Sequence, residues 1–329
     1  PIGMYLPKIF RKLASPVFEK IYGKSKEEIC STPGIWGANM INLYDDMLTV
    51  KTDALRIIPE KTKGTDFEGH GFFEGSSIRK INNTYYFIYS SQLNHELCYA
   101  TSKYPDRDFK YGGTIVSAGD VGLNGRKEKD SLNTVGTTHG SIECINGQWY
   151  VFYHRLTHGS DYSRQACAEP IEIKADASIE QVEISSCGLN GKSLVAKGKY
   201  PSVIACHITN GKMPRVSNKQ CKKQIPMVTH KNDERYIANI DGKTTITYKW
   251  FDFENQKGTL ELDIDSNADG KIQVFANGKT IAQKRITPFG RKTIALAYQI
   301  ENKNKQELSI RFFGKGKFDL YSLNFKEKL

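Results

Sequence analysis

The sequence predicts an all-β chain in which part of a β-propeller is followed by an antiparallel β-sandwich. Two patterns indicate this fold class. The first is an internal repeat, because Ser77 to Tyr89 aligns without a gap with Ser141 to Tyr153, and six positions coincide. The second is a series of short segments beyond residue 243 in which apolar and polar residues alternate, as they do in half-buried strands. Hairpins that recur at a period of several tens of residues are typical of propeller blades.

Each copy of the repeat is predicted to form a β-hairpin. A strand is followed by a polar turn, Asn82-Asn83 in one copy and Asn146-Gly147 in the other, and then by a strand rich in aromatic and β-branched residues. The innermost strand of a blade lines the central channel of a propeller. We therefore expect Glu74 and His139, which precede these strands, to converge at the channel axis. Further turns are predicted at Asp45-Asp46, Pro105-Asp106, Gly112-Gly113 and His158-Gly159.

The chain is predicted to divide into two domains. Residues 1–209 are assigned to the C-terminal part of a propeller, the polar and cationic stretch 210–225 to a linker, and residues 226–329 to a β-sandwich. Within the first region, Ile9 to Tyr22 could form a short helix or a long loop insertion. The predicted sandwich strands are Thr244–Phe253, Thr259–Ile264, Lys271–Ala276, Thr293–Tyr298, Glu307–Phe313 and Phe318–Phe325.

Composition excludes several classes of protein. The net charge of +11 is spread over Lys-rich loops and strand ends rather than concentrated in one block, so a solvated surface is favoured over nucleic-acid binding. No apolar run approaches the roughly 20 residues of a membrane-spanning helix. The 7 cysteines are odd in number and scattered, which indicates neither a zinc site nor a disulfide framework. Free thiols, expected to be buried at Cys98 and Cys144, favour a reducing compartment such as the cytoplasm.

Three side chains are candidates for chemistry. Glu74 follows two phenylalanines, which favour the uncharged carboxyl form that a general acid needs, and Gly75 leaves room for a ligand to approach the backbone. The alternative is that Glu74 is a salt-bridged residue at a strand end. His139 could bind a metal or a hydroxyl, or could simply be hydrogen-bonded. Arg164 could hold a sugar hydroxyl, or could form an ion pair with Glu169 or Glu172.

Two features of the second half have simpler readings. The run Asp265-Ser-Asn-Ala-Asp-Gly270 begins like a calcium-binding EF-hand loop, but its twelfth position is Ala276 rather than Glu and strands flank it. We therefore predict a hairpin turn there. Trp250 could stack on a sugar ring or belong to the core.

Seven motifs together resemble glycoside hydrolase family 43. The resemblance runs from about Gly37 to Ile208, and it is specific because the motifs occur in order. They are His70-Gly-Phe-Phe-Glu-Gly-Ser-Ser-Ile-Arg-Lys-Ile-Asn82, Tyr85-Tyr-Phe-Ile-Tyr-Ser-Ser91, His95-Glu-Leu-Cys-Tyr-Ala-Thr-Ser102, Tyr111-Gly-Gly-Thr-Ile-Val-Ser117, His139-Gly-Ser-Ile142, Gly147-Gln-Trp-Tyr-Val-Phe-Tyr-His-Arg155 and Ser163-Arg-Gln-Ala-Cys-Ala-Glu-Pro170. Pro226 to Phe325 is similar to carbohydrate-binding module family 6.

This resemblance implies a fold, an activity and a site. Members of the family are five-bladed propellers that act on xylan, arabinan or galactan side chains with inversion. The resemblance implies that Glu74 is the general acid, that His139 points at a central ion or water, and that Arg164 lies near the substrate, with Phe73 and Ser76 beside it. Calcium is the usual ion in such a channel, where waters supply most of its oxygen ligands.

One departure from the family pattern concerns the general base. The family carries its base Asp in the first blade and a second Asp in a later blade, typically in Asp-Pro contexts, whereas this sequence contains no Asp-Pro dipeptide. Asp45, Asp46, Asp66 and Asp120 lack the expected strand setting. We therefore expect the early blades, and the base, to lie outside this chain, which opens on Pro1 without an initiator Met.

The function expected from the sequence is hydrolysis of β-xylosides or α-L-arabinofuranosides in plant cell-wall polysaccharide. The alternative is a non-catalytic, carbohydrate-binding remnant of such an enzyme. An upstream reading frame that encodes Asp-Pro blades would favour the enzyme. The expected partners are an oligo- or polysaccharide and the missing N-terminal blades of the same polypeptide, with no nucleic acid and no membrane.

Overall fold

The computed structural model of the chain describes residues 37–59, 61–216 and 224–327, together with the isolated positions 16 and 20. Within these ranges the regular elements are β-strands and three-residue 3-10 turns, so the predicted all-β class is confirmed. The described part of the chain contains no helix with the length and apolarity needed to cross a membrane. The segment Ile9 to Tyr22 lies outside the described ranges.

The first propeller blade is a four-stranded antiparallel sheet. A short pair, β1 (Ala38–Met40) and β2 (Leu55–Ile58), precedes it. The blade then follows the chain in the order β3 (Phe72–Ile81), β4 (Thr84–Ser91), β5 (Glu96–Ser102) and β6 (Lys110–Ser117). The two middle strands are almost entirely buried, whereas β3 is half exposed. This gradient fits a blade whose innermost strand borders an open channel.

The second blade contains β7 (Ser141–Ile145), β8 (Gln148–Thr157) and β9 (Ser160–Ile171). Its first hairpin repeats that of the first blade, because Ser77 pairs with Ile88 in one and Ser141 pairs with Phe152 in the other. The equivalent residues of the two copies also meet, since the Ser77 hydroxyl donates to the Ser141 hydroxyl over 2.9 Å. The internal repeat therefore places the two inner strands side by side.

The predicted hairpin turns form where positive φ angles are needed. Asn146 and Gly147 have φ of 51° and 85°, and His158 and Gly159 both have φ of 57°. These values suit the two-residue turns that match the twist of an antiparallel hairpin. The turn predicted at Gly112-Gly113 is wrong, because both glycines lie within β6. Gly112 is glycine for a packing reason, since a Cβ there would lie 2.1 Å from the ring of Tyr99, and Gly113 has a φ of 142°.

The second half forms the predicted β-sandwich. One sheet contains the path β15-β20-β17-β18 and the other the path β13-β14-β21-β16-β19, and the core between them is continuous. The strands are β13 (Met227–Lys231), β14 (Glu234–Ile240), β15 (Thr245–Asp252), β16 (Lys257–Ser266), β17 (Asp269–Ala276), β18 (Lys279–Ile286), β19 (Phe289–Gln299), β20 (Gln306–Lys315) and β21 (Phe318–Glu327). The sequence missed β13, β14 and β18, whose charged and polar residues interrupt the alternation.

Three short strands before the predicted linker also pair with the sandwich. They are β10 (Leu194–Val195), β11 (Gly198–Pro201) and β12 (His207–Thr209). β10 and β12 pair with β15, and β11 pairs with β21. The domain boundary at residue 209 remains a prediction, but the sheet pairing assigns residues 194–209 to the sandwich.

The segment Asp265 to Gly270 is not a hairpin turn. It joins the end of β16 to the start of β17, and these strands belong to different sheets. Ala268 in its middle is buried, and the Ser266 hydroxyl accepts from the Ala268 N–H over 3.1 Å. The run therefore crosses from one sheet of the sandwich to the other. Its short polar residues suit a hairpin turn as well as a crossing between two sheets, so the sequence alone does not distinguish these two connections.

A buried ion pair joins the two halves. Asp120, in the loop after β6, lies with its Oδ2 2.9 Å from Nε2 of His207, and the two side chains are 4% and 2% exposed. Burial alone lowers the pKa of His207, but Cys206 and Asp120 more than offset this and raise the pKa to about 9. The contact is therefore between a charged imidazole and a carboxylate.

The described cysteines are free thiols in different settings. Cys98 is buried in β5, as expected. The expectation for Cys144 is wrong, because this thiol is exposed. It lies on β7, which is an edge strand of its sheet and, among the described strands, pairs only with β8.

Candidate functional site

Glu74 is directed out of its strand by an irregularity in β3. The pairing of β3 with β4 shifts register between Phe72 and Glu74, and again between Glu74 and Ser77. Gly75 lies within this bulge with a φ of 66°, a left-handed conformation that glycine adopts at little cost. Bulges of this kind commonly re-aim a side chain beside a functional site. The flanking Phe72 packs against Phe87, whereas the Glu74 side chain is 42% exposed.

His139 lies against Glu74. Its Nε2 is 2.9 Å from Oε1 of Glu74, and a Cβ on Gly75 would lie 2.6 Å from Cδ2 of the imidazole. The space that the glycine was expected to leave for a ligand is therefore occupied by the His139 ring. The convergence of Glu74 and His139 that the repeat indicates is present in the structure.

Arg164, in β9, completes the group. Its Nη1 lies 3.3 Å from Nδ1 of His139 and 3.2 Å from Nε2 of His154. Because a guanidinium can only donate, both imidazole nitrogens are acceptors. His139 therefore carries its proton on Nε2 and donates it to Glu74. The ion-pair alternative for Arg164 finds no support at Glu169, whose carboxylate accepts from the hydroxyls of Tyr153 and Ser185.

His154 is a site residue that the sequence did not single out. It lies in β8, and its Nε2 also accepts from the backbone N–H of His139 over 3.0 Å. Burial, and then the neighbouring Arg164 and His139, lower the pKa of His154 to about 4, so its ring is neutral near pH 7. The sequence signal was its place in the motif that ends Phe152-Tyr-His-Arg155, one strand away from Arg164.

The remaining predicted site residues flank Glu74. Phe73 is half-buried and Ser76 is exposed, both in β3. The structure thus brings Glu74, His139 and Arg164 together and sets Phe73 and Ser76 beside them. Contact of any of these residues with a sugar stays a prediction.

The residues around His139 do not fit a calcium ion. Calcium is a cation that prefers oxygen ligands, whereas among the described residues the ring is flanked by the positively charged guanidinium of Arg164, a second imidazole and one carboxylate. Both ring nitrogens of His139 are already engaged, and the positive Arg164 is within hydrogen-bonding distance. We therefore derive no chemical step through calcium.

A second group of potential metal ligands lies away from Glu74. His70, Glu96 and Cys98 have ligand atoms within 4.8 Å of one another, and Nδ1 of His70 is 2.6 Å from Oε1 of Glu96. The Glu96 carboxylate also accepts from the hydroxyls of Ser91 and Thr114. Burial opposes its charge, but these hydrogen bonds hold the pKa of Glu96 at about 2. The group is therefore a satisfied hydrogen-bond network around a buried carboxylate.

Several carboxylates that could have been a base have structural roles. Asp46 accepts from the backbone N–H groups of Leu48 and Thr49 within its turn. Asp66 accepts from the N–H of Tyr111, and Asp120 is paired with His207. That the general base lies outside this chain stays a prediction.

Comparison with known proteins identifies relatives. The chain is 45% identical over 260 residues to a xylosidase/arabinosidase of Thermoclostridium stercorarium, a match that covers 75% of this chain and 55% of that protein. It is 35% identical over 109 residues to a β-xylosidase of Xylanibacter ruminicola, covering 33% of this chain and 30% of that one. The resemblance to glycoside hydrolase family 43 is confirmed. The chain spans about half the length of the first of these relatives. No family model matches it.

Two solved structures are similar to parts of the chain. A family 43 arabinoxylan arabinofuranohydrolase from Bacillus subtilis, in complex with cellotetraose, has a TM-score of 0.42 at 20% identity, over 88% of this chain and 59% of that one. A family 6 carbohydrate-binding module from Clostridium stercorarium, in complex with cellobiose, has a TM-score of 0.33 at 12% identity, over 42% of this chain and 99% of that one.

Proposed function

We propose that this chain carries the general acid of a glycoside hydrolase that acts with inversion on β-xylosides or α-L-arabinofuranosides of plant cell-wall polysaccharide. The observation that carries the proposal is the placement of Glu74 on an inner blade strand, hydrogen-bonded through Oε1 to His139 and still 42% exposed. A substrate can therefore reach the carboxyl group. The 45% identity to a xylosidase/arabinosidase supports the choice of sugars.

Each residue of the group has a role in this proposal. Glu74 protonates the glycosidic oxygen as the bond to the anomeric carbon breaks. His139 orients the carboxyl, and Arg164, with an exposed side chain, is available to a sugar hydroxyl. Inversion also requires a carboxylate base about 6.5–9.5 Å from the acid, with a water between the base and the sugar. We assign that base to an Asp in blades that precede this chain.

A second candidate function is a non-catalytic, carbohydrate-binding remnant of such an enzyme. It is favoured by the structural engagement of Asp46, Asp66 and Asp120. In this case the sandwich would hold polysaccharide while Glu74 performs no chemistry.

The two candidates are separated by following the product of hydrolysis. The chain, fused to preceding blades that supply the base, is incubated with xylobiose and with arabinoxylan, and the first-formed sugar is observed by proton NMR. The proposal predicts release of xylose or arabinose whose anomeric configuration is opposite to that of the substrate. Retention of configuration, or binding without hydrolysis in a soluble and folded protein, would contradict it.

A further inference from the structure

Behind the Glu74 group lies a small buried cavity that the proposed chemistry does not use. It admits the centre of a water molecule over a volume of about 10 Å³, and Gly136, Thr137, His154 and Leu156 contribute to its wall. A buried water needs about 10–15 Å³ on this measure and two or more polar partners. The cavity is therefore of a size for a single water molecule.

Two polar atoms of residues on this wall are buried without a partner among the described residues. They are Nδ1 of His154 and Oγ1 of Thr137. A buried polar atom that lacks a hydrogen bond costs about 1–3 kcal/mol, so each one calls for a partner. The Thr137 hydroxyl can both donate and accept, whereas the role of the His154 nitrogen depends on where the ring carries its proton.

The opposite side of the His154 ring fixes that position. Its Nε2 faces two donors, the backbone N–H of His139 at 3.0 Å and Nη1 of Arg164 at 3.2 Å. An Nε2 that accepts cannot carry a proton, and the ring is neutral near pH 7. The single ring proton must therefore be on Nδ1, the atom that faces no protein acceptor in the described part of the chain.

We propose that His154 is a positioning residue in its Nδ1–H form, and that a water molecule shared with Thr137 accepts this proton and so stabilises the form that the two donors at Nε2 require. The water accepts from Nδ1–H of His154 and bonds to the hydroxyl of Thr137. This tautomer presents a lone pair on Nε2 to Arg164 and to the backbone of His139. Arg164 in turn donates to Nδ1 of His139, which leaves Nε2–H of His139 to bond to Glu74. Through Arg164 and His139, the tautomer of His154 therefore influences the hydrogen bond that the Glu74 carboxyl group receives. The link to catalysis rests on the proposed function.

Nitrogen-15 NMR of the chain labelled at its histidines tests the tautomer without any substrate. Signals of His154 and His139 are assigned by their loss in His154→Gln and His139→Gln. At pH 7 we expect His154 neutral with its proton on Nδ1, and His139 with its proton on Nε2. A proton on Nε2 of His154, or equal mixing of the two forms, would overturn the proposal.

A matched pair of variants tests the water. Thr137→Val keeps the shape of the side chain but removes the hydroxyl, whereas Thr137→Ser keeps the hydroxyl. We expect the His154 signals of Thr137→Val to move toward a mixture of tautomers and those of Thr137→Ser to stay as in the unsubstituted chain. Unchanged signals in a folded Thr137→Val would remove the water from the account. If that variant does not fold, two measurements on the unsubstituted chain decide: the tautomer of His154 by NMR, and a crystal structure. Density for a water molecule in the cavity would support the proposal, and an empty cavity would overturn it.

Kinetics separate this inference from the proposed function. In an active enzyme, Thr137→Val should lower kcat by about 10–100-fold with little change in KM, the usual scale for a slightly misplaced catalytic group. If NMR finds the expected tautomers but no hydrolysis is detected, the proposed function fails and the positioning of His139 stands. If hydrolysis is normal and the tautomers are different, the positioning fails alone.

Discussion

Gly75 shows how much one residue contributes to the site. It has positive φ, it lies in the bulge that aims Glu74, and it lets the His139 ring approach the backbone. Gly75→Ala should therefore be destabilising for two reasons. The left-handed conformation costs about 1–2 kcal/mol for a residue with a Cβ. Displacing the imidazole from 2.6 Å adds about 1–3 kcal/mol of overpacking.

Urea unfolding of two variants separates the cost of the left-handed backbone from the cost of displacing the imidazole. Gly147→Ala is the control, because Gly147 also has positive φ but no atom lies within 4 Å of its Cβ position. We expect Gly75→Ala to lower the free energy of unfolding more than Gly147→Ala does, and to displace the NMR signal of His139. Equal losses would mean that His139 does not rest against Gly75.

Residue types predicted part of this site and missed part. The repeat predicts that Glu74 and His139 approach each other, because each just precedes the inner strand of its blade, and the structure brings them together. Arg164 was proposed for a sugar hydroxyl or an ion pair, whereas it donates to two imidazoles. His154 was missed because its place in the motif that ends at Arg155 does not by itself indicate a role. Its role depends on a hydrogen bond to the backbone of another strand, which no sequence pattern specifies.

At the scale of elements, turn chemistry and alternation were the reliable signals. Asn146-Gly147 and His158-Gly159 form hairpins because these residues tolerate positive φ. Gly112-Gly113 gave a false turn, because a glycine pair also permits a strand to pass close to an aromatic ring such as Tyr99. The short strands β10, β11 and β12 could not be predicted, since each is defined by its pairing with a distant strand.

Strand β9 carries a pH-dependent contribution to stability. Burial is the main cause that raises the pKa of Glu169 to about 7, against the hydrogen bonds from Ser185 and Tyr153. A carboxyl whose pKa is higher in the folded state binds more protons there than in the unfolded chain. Stability should therefore fall as the pH rises from about 4.5 to 7, by at most about 3 kcal/mol.

Glu169→Gln removes this titration. Thermal unfolding between pH 4.5 and 8 should show that the variant gains stability relative to the unsubstituted chain as the pH rises. Glu172→Gln, on the exposed residue that follows the same strand, is the control and should leave the pH dependence unchanged. A constant difference between Glu169→Gln and the unsubstituted chain at every pH would contradict the raised pKa.

At the scale of the molecule, residues 194–209 act as a connection between blades and sandwich. β10 and β12 pair with β15 of one sheet, and β11 pairs with β21 of the other. His207 forms the buried pair with Asp120. The sandwich was expected to fold as residues 226–329, but its core also includes Ala196, Val203, Ala205 and Ile208. Without the three strands, however, the backbone of β15 loses partners on one edge.

Two fragments test this connection. We expect residues 226–329 to fold, and residues 190–329 to melt at a higher temperature, because only the longer fragment keeps β10, β11 and β12. Circular dichroism melts of the two give the comparison. Identical melting temperatures would show that the three strands add no stability to the sandwich.

An exposed apolar surface belongs to the same scale. Tyr44, Met47, Leu48 and Val50 are 51%, 72%, 85% and 57% exposed in the segment between β1 and β2. Contiguous apolar exposure of this kind is typical of surfaces that are covered in an assembled protein. Under the proposed function, which assigns the base to another part of the enzyme, the chain expressed alone should hydrolyse no nitrophenyl xyloside or arabinoside above background.

The most direct test of the account is the dependence of Glu74→Gln on the leaving group. The variant is made in an enzyme that joins this chain to blades supplying the base, with Glu143→Gln, an exposed carboxylate on β7, as the control. Hydrolysis of unactivated xylosides or arabinosides should fall by about 10²–10⁴, the usual contribution of a general acid. Dinitrophenyl glycosides, whose leaving group departs without protonation, should lose much less, and Glu143→Gln should lose nothing. Equal loss on both substrates, or no loss on either, would contradict the assignment of Glu74 as the acid.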